Sequence, residues 1–140
     1  MKKILVLAAA IALVSSTAFA ANTATLTVTA TVTPTCTITG GTLGFGALDP
    51  LVAADTGPIA AAGVTVTCTN GTAFTVTDDA AANDLSNGTS TIPFTLAHAG
   101  AGVGTGVAAA YAINGSILGT DYAGATAGAY TSTVTLSVLP

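Results

Sequence analysis

The chain is poor in charge, and its basic residues are confined to one end. It has no Arg, Glu or Trp, and its only two lysines are Lys2 and Lys3. Once a leader containing both lysines is removed, six aspartates and no basic side chain remain. Nucleic acids and anionic lipid surfaces attract proteins chiefly through Lys and Arg. We therefore expect neither of them as a partner.

The N-terminus predicts a signal peptide. Lys2 and Lys3 precede eleven mostly apolar residues, 4–14, and residues 18–20 read Ala-Phe-Ala, a signal-peptidase site. This apolar run is shorter than the ~20 residues that a membrane-spanning helix needs. We predict cleavage after residue 20, export without membrane insertion, and one domain in the remaining 120 residues.

Cysteine and histidine are also scarce. Cys36 and Cys68 are the only thiols, and export predicts that they form one disulfide. A metal or redox pair is disfavoured because the spacing is not C-x-x-C and the one imidazole, His98, lies in another region. His98 has no acid within twelve residues, so a triad would have to be assembled by folding. We expect no catalytic residue, no metal and no cofactor.

The most informative pattern follows the leader. From residue 24 to residue 38, Thr occupies every odd position and an apolar residue or Pro every even one. Fully extended, this run would measure about 50 Å, more than twice a usual strand of ~17–20 Å. Pro34 is the natural break, since it cannot donate to a central ladder. We predict a first strand over Cys36–Thr39 and an N-terminal extension, residues 21–33, that lies outside the domain formed by residues 34–140.

In this interpretation the extension is a strand lent to a neighbouring copy of the chain. Its inward-facing side chains would be Ala24, Leu26, Val28, Ala30 and Val32. A return into its own domain would need a tight turn at residues 33–35, which contain no Gly or Asn. An ordinary first strand of a complete, monomeric sandwich is the alternative.

The rest of the chain predicts an all-β domain. Alternating segments at 63–68 and 72–77 flank Asn70–Gly71, which is typical of a hairpin. We interpret 78–88 as a polar loop and the Gly-rich 100–106 as a flexible connection, because it lacks the Lys of a phosphate loop. Further strands are predicted at 92–96, an edge strand because of Pro93; at 109–113, ending at Asn114–Gly115; and at 130–138.

About six strands are convincing from residue 36 onward, whereas an immunoglobulin-type sandwich has at least seven. The last strand would leave an uncovered apolar edge, which is an aggregation hazard. The predicted fold is an incomplete immunoglobulin-like β-sandwich that a donor strand from a neighbouring subunit completes. The predicted edge of the acceptor groove consists of Ile38, Val134, Leu136 and Val138.

Four segments together resemble the pilin subunits of archaic chaperone–usher pili, which carry a spore coat protein U-like domain. They are the Thr-alternating N-terminus with Cys36, residues 43–50, residues 66–76 and residues 128–138. The resemblance implies a periplasmic chaperone, an outer-membrane usher, head-to-tail polymerisation by donor-strand exchange, and a cell-surface fibre for adhesion or biofilm formation. A monomeric secreted or periplasmic β-sandwich that binds carbohydrate or protein is the rival function.

Overall fold

The computed structural model describes residues 22–79 and 83–140, so the predicted signal peptide lies outside the described residues. The chain divides into two units, with the boundary after Thr31. Val32–Pro140 form the compact domain. Residues 22–35 form no helix or strand, and all of their side chains are exposed.

The described residues contain eleven short strands and one helix of a single turn. In chain order these are β1 (Cys36–Thr39), β2 (Thr56–Ala60), β3 (Thr65–Cys68), β4 (Ala73–Asp78), β5 (Asp84–Ser86), β6 (Thr91–Pro93), β7 (Thr95–His98), β8 (Ala101–Val103), β9 (Ala109–Ala110), β10 (Ile113–Ile117), α1 (Gly119–Tyr122) and β11 (Leu136–Leu139).

The strands form antiparallel sheets, as expected for the predicted all-β class. Three sheets have three strands each, in the orders β1-β3-β9, β2-β10-β7 and β11-β4-β8, and β5 pairs with β6. This architecture is that of an all-β sandwich. The predicted first strand is confirmed with its bounds, Cys36–Thr39.

Period-two alternation places the core between the sheets. In β3 and β10 alternate side chains are fully buried, and the buried residues gather in two clusters. Val64, Val66, Val76 and Ile113 belong to the first cluster. The second contains Ile92, Phe94, Ile117 and Tyr122. Burying a side chain of this size contributes about 1.5–3 kcal/mol, so these clusters are the main source of stability.

The predicted disulfide is confirmed. Cys36 and Cys68 face each other in the register of β1 and β3, with Cα atoms 4.1 Å apart and an S–S distance of 2.05 Å. Cys68 is 2 % exposed and belongs to the first core cluster. The bridge therefore ties the edge strand β1 to the interior of the domain.

The predicted hairpin at Asn70–Gly71 is wrong. Its two strands form as β3 and β4, but they belong to different sheets in the described part of the chain. The turn itself is present, since Thr72 N donates to Thr69 O at 3.0 Å and Gly71 has a φ of 76°. Gly71 N donates to Gly104 O, so the turn pairs with the Gly-rich segment instead of closing a two-stranded ladder. Alternation specifies which face is buried, and tertiary packing selected the partner strands.

The predicted strand end at Asn114–Gly115 is also wrong. Both residues lie inside β10, the central strand between β2 and β7. A Cβ at Gly115 would come within 2.9 Å of Leu43 and Phe45. The missing side chain therefore allows those two apolar residues to pack directly over the strand.

The last predicted strand is shorter than expected. β11 covers Leu136–Leu139, while Thr131 forms an isolated bridge with Ser86. The predicted alternation is nevertheless present: Val134, Leu136 and Val138 are half-buried, and the residues between them are exposed. Among the described residues β4, the partner of β11, ends at Asp78, and the pairing with it begins at Leu136. One further hydrogen bond precedes it, from Asp79 N to Thr135 O at 3.1 Å.

The sequence interpretation missed several elements and joined others. β5 lies in the predicted polar loop, of which residues 80–82 are outside the described ranges, and β8 lies in the predicted flexible connection. β2 was missed because Gly57 and Pro58 interrupt any strand pattern. The predicted strand over 92–96 is divided at Phe94 into β6 and β7, both at sheet edges.

We predict that reducing the Cys36–Cys68 disulfide lowers the free energy of unfolding by about 3–4 kcal/mol, because the cross-link no longer restricts the unfolded chain. Urea denaturation with and without reductant measures the difference. The Cys36→Ser/Cys68→Ser variant is the control and should be insensitive to reductant. An unchanged unfolding midpoint of the parent protein after reduction would contradict the prediction.

Candidate functional site

An apolar groove lies between β1 and the C-terminal segment. Its cavity volume is about 400 Å³. Ile38 lines one wall, and Val134 and Leu136 line the other. The remaining lining residues are Gly40, Gly41, Thr42, Leu43, Phe45, Ala61, Val64, Leu85, Phe94, Leu96, Ile113, Ser132 and Thr133.

The groove exists because two strands each lack a neighbour on one side. Among the described residues β1 pairs with β3 alone and β11 with β4 alone, although β1 and β11 lie close together. Each strand therefore has a free edge of backbone donors and acceptors at this seam. Such an edge is a template for an added strand.

The floor of the groove is the core itself. Val64 and Ile113 come from the first core cluster, Phe94 comes from the second, and Leu96 packs against both. At the rim, a Cβ on Gly41 would lie 2.2 Å from Ala62 O, so this close approach needs glycine. None of the described lining residues is charged. An occupant must therefore be apolar on the side that faces the floor.

A second cavity, of about 560 Å³, continues the groove. The two share Leu43, Phe45 and Leu85. Tyr122 and Tyr130 line the far end, where the Tyr122 hydroxyl donates to Ala54 O at 2.6 Å. The hydrogen bond between the hydroxyls of Ser90 and Tyr130, together with a weaker one from Thr126, lowers the pKa of Tyr130 below its ordinary value.

Three of the four residues predicted for the acceptor edge line the groove: Ile38, Val134 and Leu136. Val138 does not line it, although, like Ile38 and Leu136, it packs against the first core cluster. The side chains predicted for the donor strand are exposed, with Leu26 at 87 %, Val28 at 81 % and Val32 at 77 %. Ala24 and Ala30 are exposed as well.

Sequence reasoning missed the surroundings of His98. Its Nε2 lies 3.5 Å from Asp78 Oδ2, and its Nδ1 lies 3.1 Å from the Tyr111 hydroxyl. Gly100 N also donates to that hydroxyl, at 2.9 Å. The carboxylate is twenty residues away in sequence, so no local motif indicated the contact. The contact between Asp78 and His98 links β4 to β7. Among the residues that these contacts join, no Ser, Thr or Cys is positioned as a nucleophile.

A family model described as the Spore Coat Protein U domain matches residues 22–95, which is more than half of the chain. The chain belongs to the Spore Coat Protein U domain family. The match covers the exposed N-terminal segment, β1 and the disulfide. A comparison with curated protein sequences found no match. Membership in the Spore Coat Protein U domain family implies, at family level, a subunit of a pilus-like fibre and not an enzyme.

The described residues of this family member contain neither a membrane-spanning helix nor a cluster of metal ligands. In 22–79 and 83–140 no helix is long and apolar enough to cross a membrane. Within the same ranges no three His, Cys, Asp or Glu side chains converge as metal ligands would.

We predict that the groove binds the neutral apolar dye Nile red, and that Leu136→Glu weakens this binding about tenfold or more because a carboxylate would occupy an uncharged apolar wall. Ser137→Glu is the matched control, since Ser137 is the exposed neighbour in β11. Fluorescence titration measures binding, and circular dichroism verifies that both variants keep their β-structure. Equal dye affinity of the two variants would contradict an apolar groove at this wall.

Proposed function

We propose that the chain is a structural subunit of a surface fibre and that subunits are joined by donor-strand exchange. The segment containing Ala24, Leu26, Val28, Ala30 and Val32 would enter the groove of the next copy. One observation carries the proposal: the same chain presents an open apolar groove and an exposed, alternating apolar segment. The segment would cover the apolar floor of the groove, and the groove would bury the apolar side chains of the segment.

Length and pattern support this fit. Nine residues, 24–32, extend over roughly 30 Å and lie within the usual length range of a strand. In an extended strand the five even-numbered side chains point to one side and the Thr side chains to the other. The apolar side would contact the floor formed by Phe94, Leu96 and Ile113, while threonines would face water. The main-chain groups would complete the ladders of β1 and β11.

Charge also supports the fit. The segment over residues 22–33 contains no charged side chain, and neither do the described residues that line the groove. Insertion therefore buries no unpaired charge. Burial of Leu26, Val28 and Val32, with smaller contributions from the two alanines, would supply about 5–9 kcal/mol before ordering costs.

Self-insertion is disfavoured because the chain would have to reverse just before β1. Thr35 is paired with Thr69, the neighbour of Cys68, and residues 33–35 contain no Gly or Asn to form a tight turn. A contact in which each subunit inserts into the next is heterologous and does not close, so repetition produces a filament. The expected partners are copies of this chain, a periplasmic chaperone that protects the groove, and an outer-membrane usher. The fibre would serve adhesion or biofilm formation.

We predict that Val28→Asp abolishes fibres when the subunit is produced with its chaperone and usher, because the carboxylate would be buried against an uncharged floor. Electron microscopy of the cell surface provides the measurement. Thr27→Asp is the matched control: it adds the same charge one residue away, on the outward side, and should leave fibres intact. Normal fibres from Val28→Asp, or loss of fibres from both variants, would contradict the assigned donor face.

The rival function is a monomeric secreted or periplasmic β-sandwich that binds carbohydrate or protein, and the cavity lined by Tyr122 and Tyr130 is the observation that favours it. Size-exclusion chromatography of the chaperone-free mature protein distinguishes the two functions. The fibre subunit should polymerise or aggregate, because its seam is open. A stable, discrete monomer would favour the rival.

A further inference from the structure

The place where the N-terminal segment joins the domain is held by one threonine. Thr69 follows β3 directly, and its backbone N–H donates to Thr35 O at 2.9 Å. Its hydroxyl accepts from Thr35 N at 3.2 Å and lies 3.3 Å from Thr33 O and 3.5 Å from Thr35 O, to which it can donate. The hydroxyls of Thr35 and Thr69 are 3.2 Å apart. A single side chain thus contacts both residues that flank Pro34.

Covalent and backbone contacts reinforce this junction. The Cys36–Cys68 disulfide joins the next pair of residues in the same ladder. Pro34 lies between the two bonded threonines, and its ring fixes φ. Only one backbone dihedral of Pro34, ψ, can therefore rotate freely. The junction therefore contains few freely rotating bonds, in contrast to the Gly- and Ser-rich composition of flexible linkers.

The Gly-rich segment, residues 100–106, packs against this junction. The prediction that it is a flexible connection is therefore wrong. A Cβ on Gly104 would lie 2.5 Å from Thr69 O and 2.6 Å from Cys68 Cβ, so only glycine fits there. Gly106 N donates to Cys68 O at 3.0 Å, and Gly104 N donates to Thr72 O at 2.7 Å. The junction is consequently supported from the interior side by a hydrogen-bonded loop.

We infer that residues 33–35 and Thr69 form a rigid junction that sets the angle between consecutive subunits and so determines the stiffness of the fibre. This inference rests on the proposed function, because the junction matters only if the segment before it is inserted in a second copy. Thr69 is then a positioning residue: it does not line the groove, and it orients the segment that enters the next subunit.

The test is Thr69→Val, which keeps the shape of the side chain and removes its hydroxyl. We expect fibres to assemble with normal yield, but their persistence length in electron micrographs should fall by roughly a factor of two, because the backbone groups of Thr33 and Thr35 lose their side-chain partner. Thr69→Ser keeps the hydroxyl and should restore the persistence length. Thr67→Val, two residues earlier on the same face of β3, is the control and should leave fibre stiffness unchanged.

Each outcome has a separate meaning. If the parent chain forms no fibres, the proposed function fails, and the inference fails with it. If fibres form and Thr69→Val fibres are as stiff as the parent, the rigid junction alone is overturned. If Thr69→Ser or Thr67→Val softens the fibres as much as Thr69→Val does, the effect is not due to the hydroxyl and the inference is again overturned.

A second measurement tests the rigid junction in the unmodified chain, so that the test does not depend on whether the Thr69→Val variant folds. In the unmodified chain, hydrogen exchange of the Thr35 amide should be as slow as exchange of those β1 amides that donate to β3, because Thr35 N–H donates to Thr69 Oγ1. Exchange of Thr35 at the rate of an unprotected peptide would overturn the rigid junction, whatever the behaviour of the variant.

Discussion

The free seam between β1 and β11 is the constraint on which the rest of the structure depends. Two strands that flank the same apolar floor lack a neighbour on their facing sides, within the described residues. Uncovered backbone edges and apolar floors are each unfavourable in water, and together they attract a strand of matching pattern. The proposed assembly rests on this free seam together with the exposed N-terminal segment, whose alternating apolar residues have the matching pattern.

The unusual composition agrees with the same constraint. With so few charges, solubility depends on hydroxyl side chains. Threonines alternate with apolar residues in the N-terminal segment and cover the outer face of β1, and Ser137 is exposed in β11. Threonine also holds the domain junction at Thr69. Glycine has the complementary role of permitting close approach, at Gly115 under Leu43 and Phe45 and at Gly104 against Cys68.

Much of the site could be predicted from period-two alternation, which depends only on strand geometry. Ile38, Val134 and Leu136 were placed on the groove wall because successive side chains in a strand point to opposite faces. Val138 obeys the same alternation and, like Leu136, pairs with β4 and packs against the first core cluster, but it lies two residues farther along β11 and does not line the groove. The disulfide was predicted from two thiols in a chain whose N-terminus predicts export.

The sequence by itself determined the all-β class, the first strand, the buried face of each strong strand, the disulfide and the exposed apolar segment, because each depends on local periodicity or on residue type. Only the tertiary structure decided which strands pair. It separated β3 from β4, placed Asn114–Gly115 within a central strand, and brought Asp78 to His98. The physical reason is that a strand can pair with any free edge, and the choice among edges depends on how the sheets pack over the core.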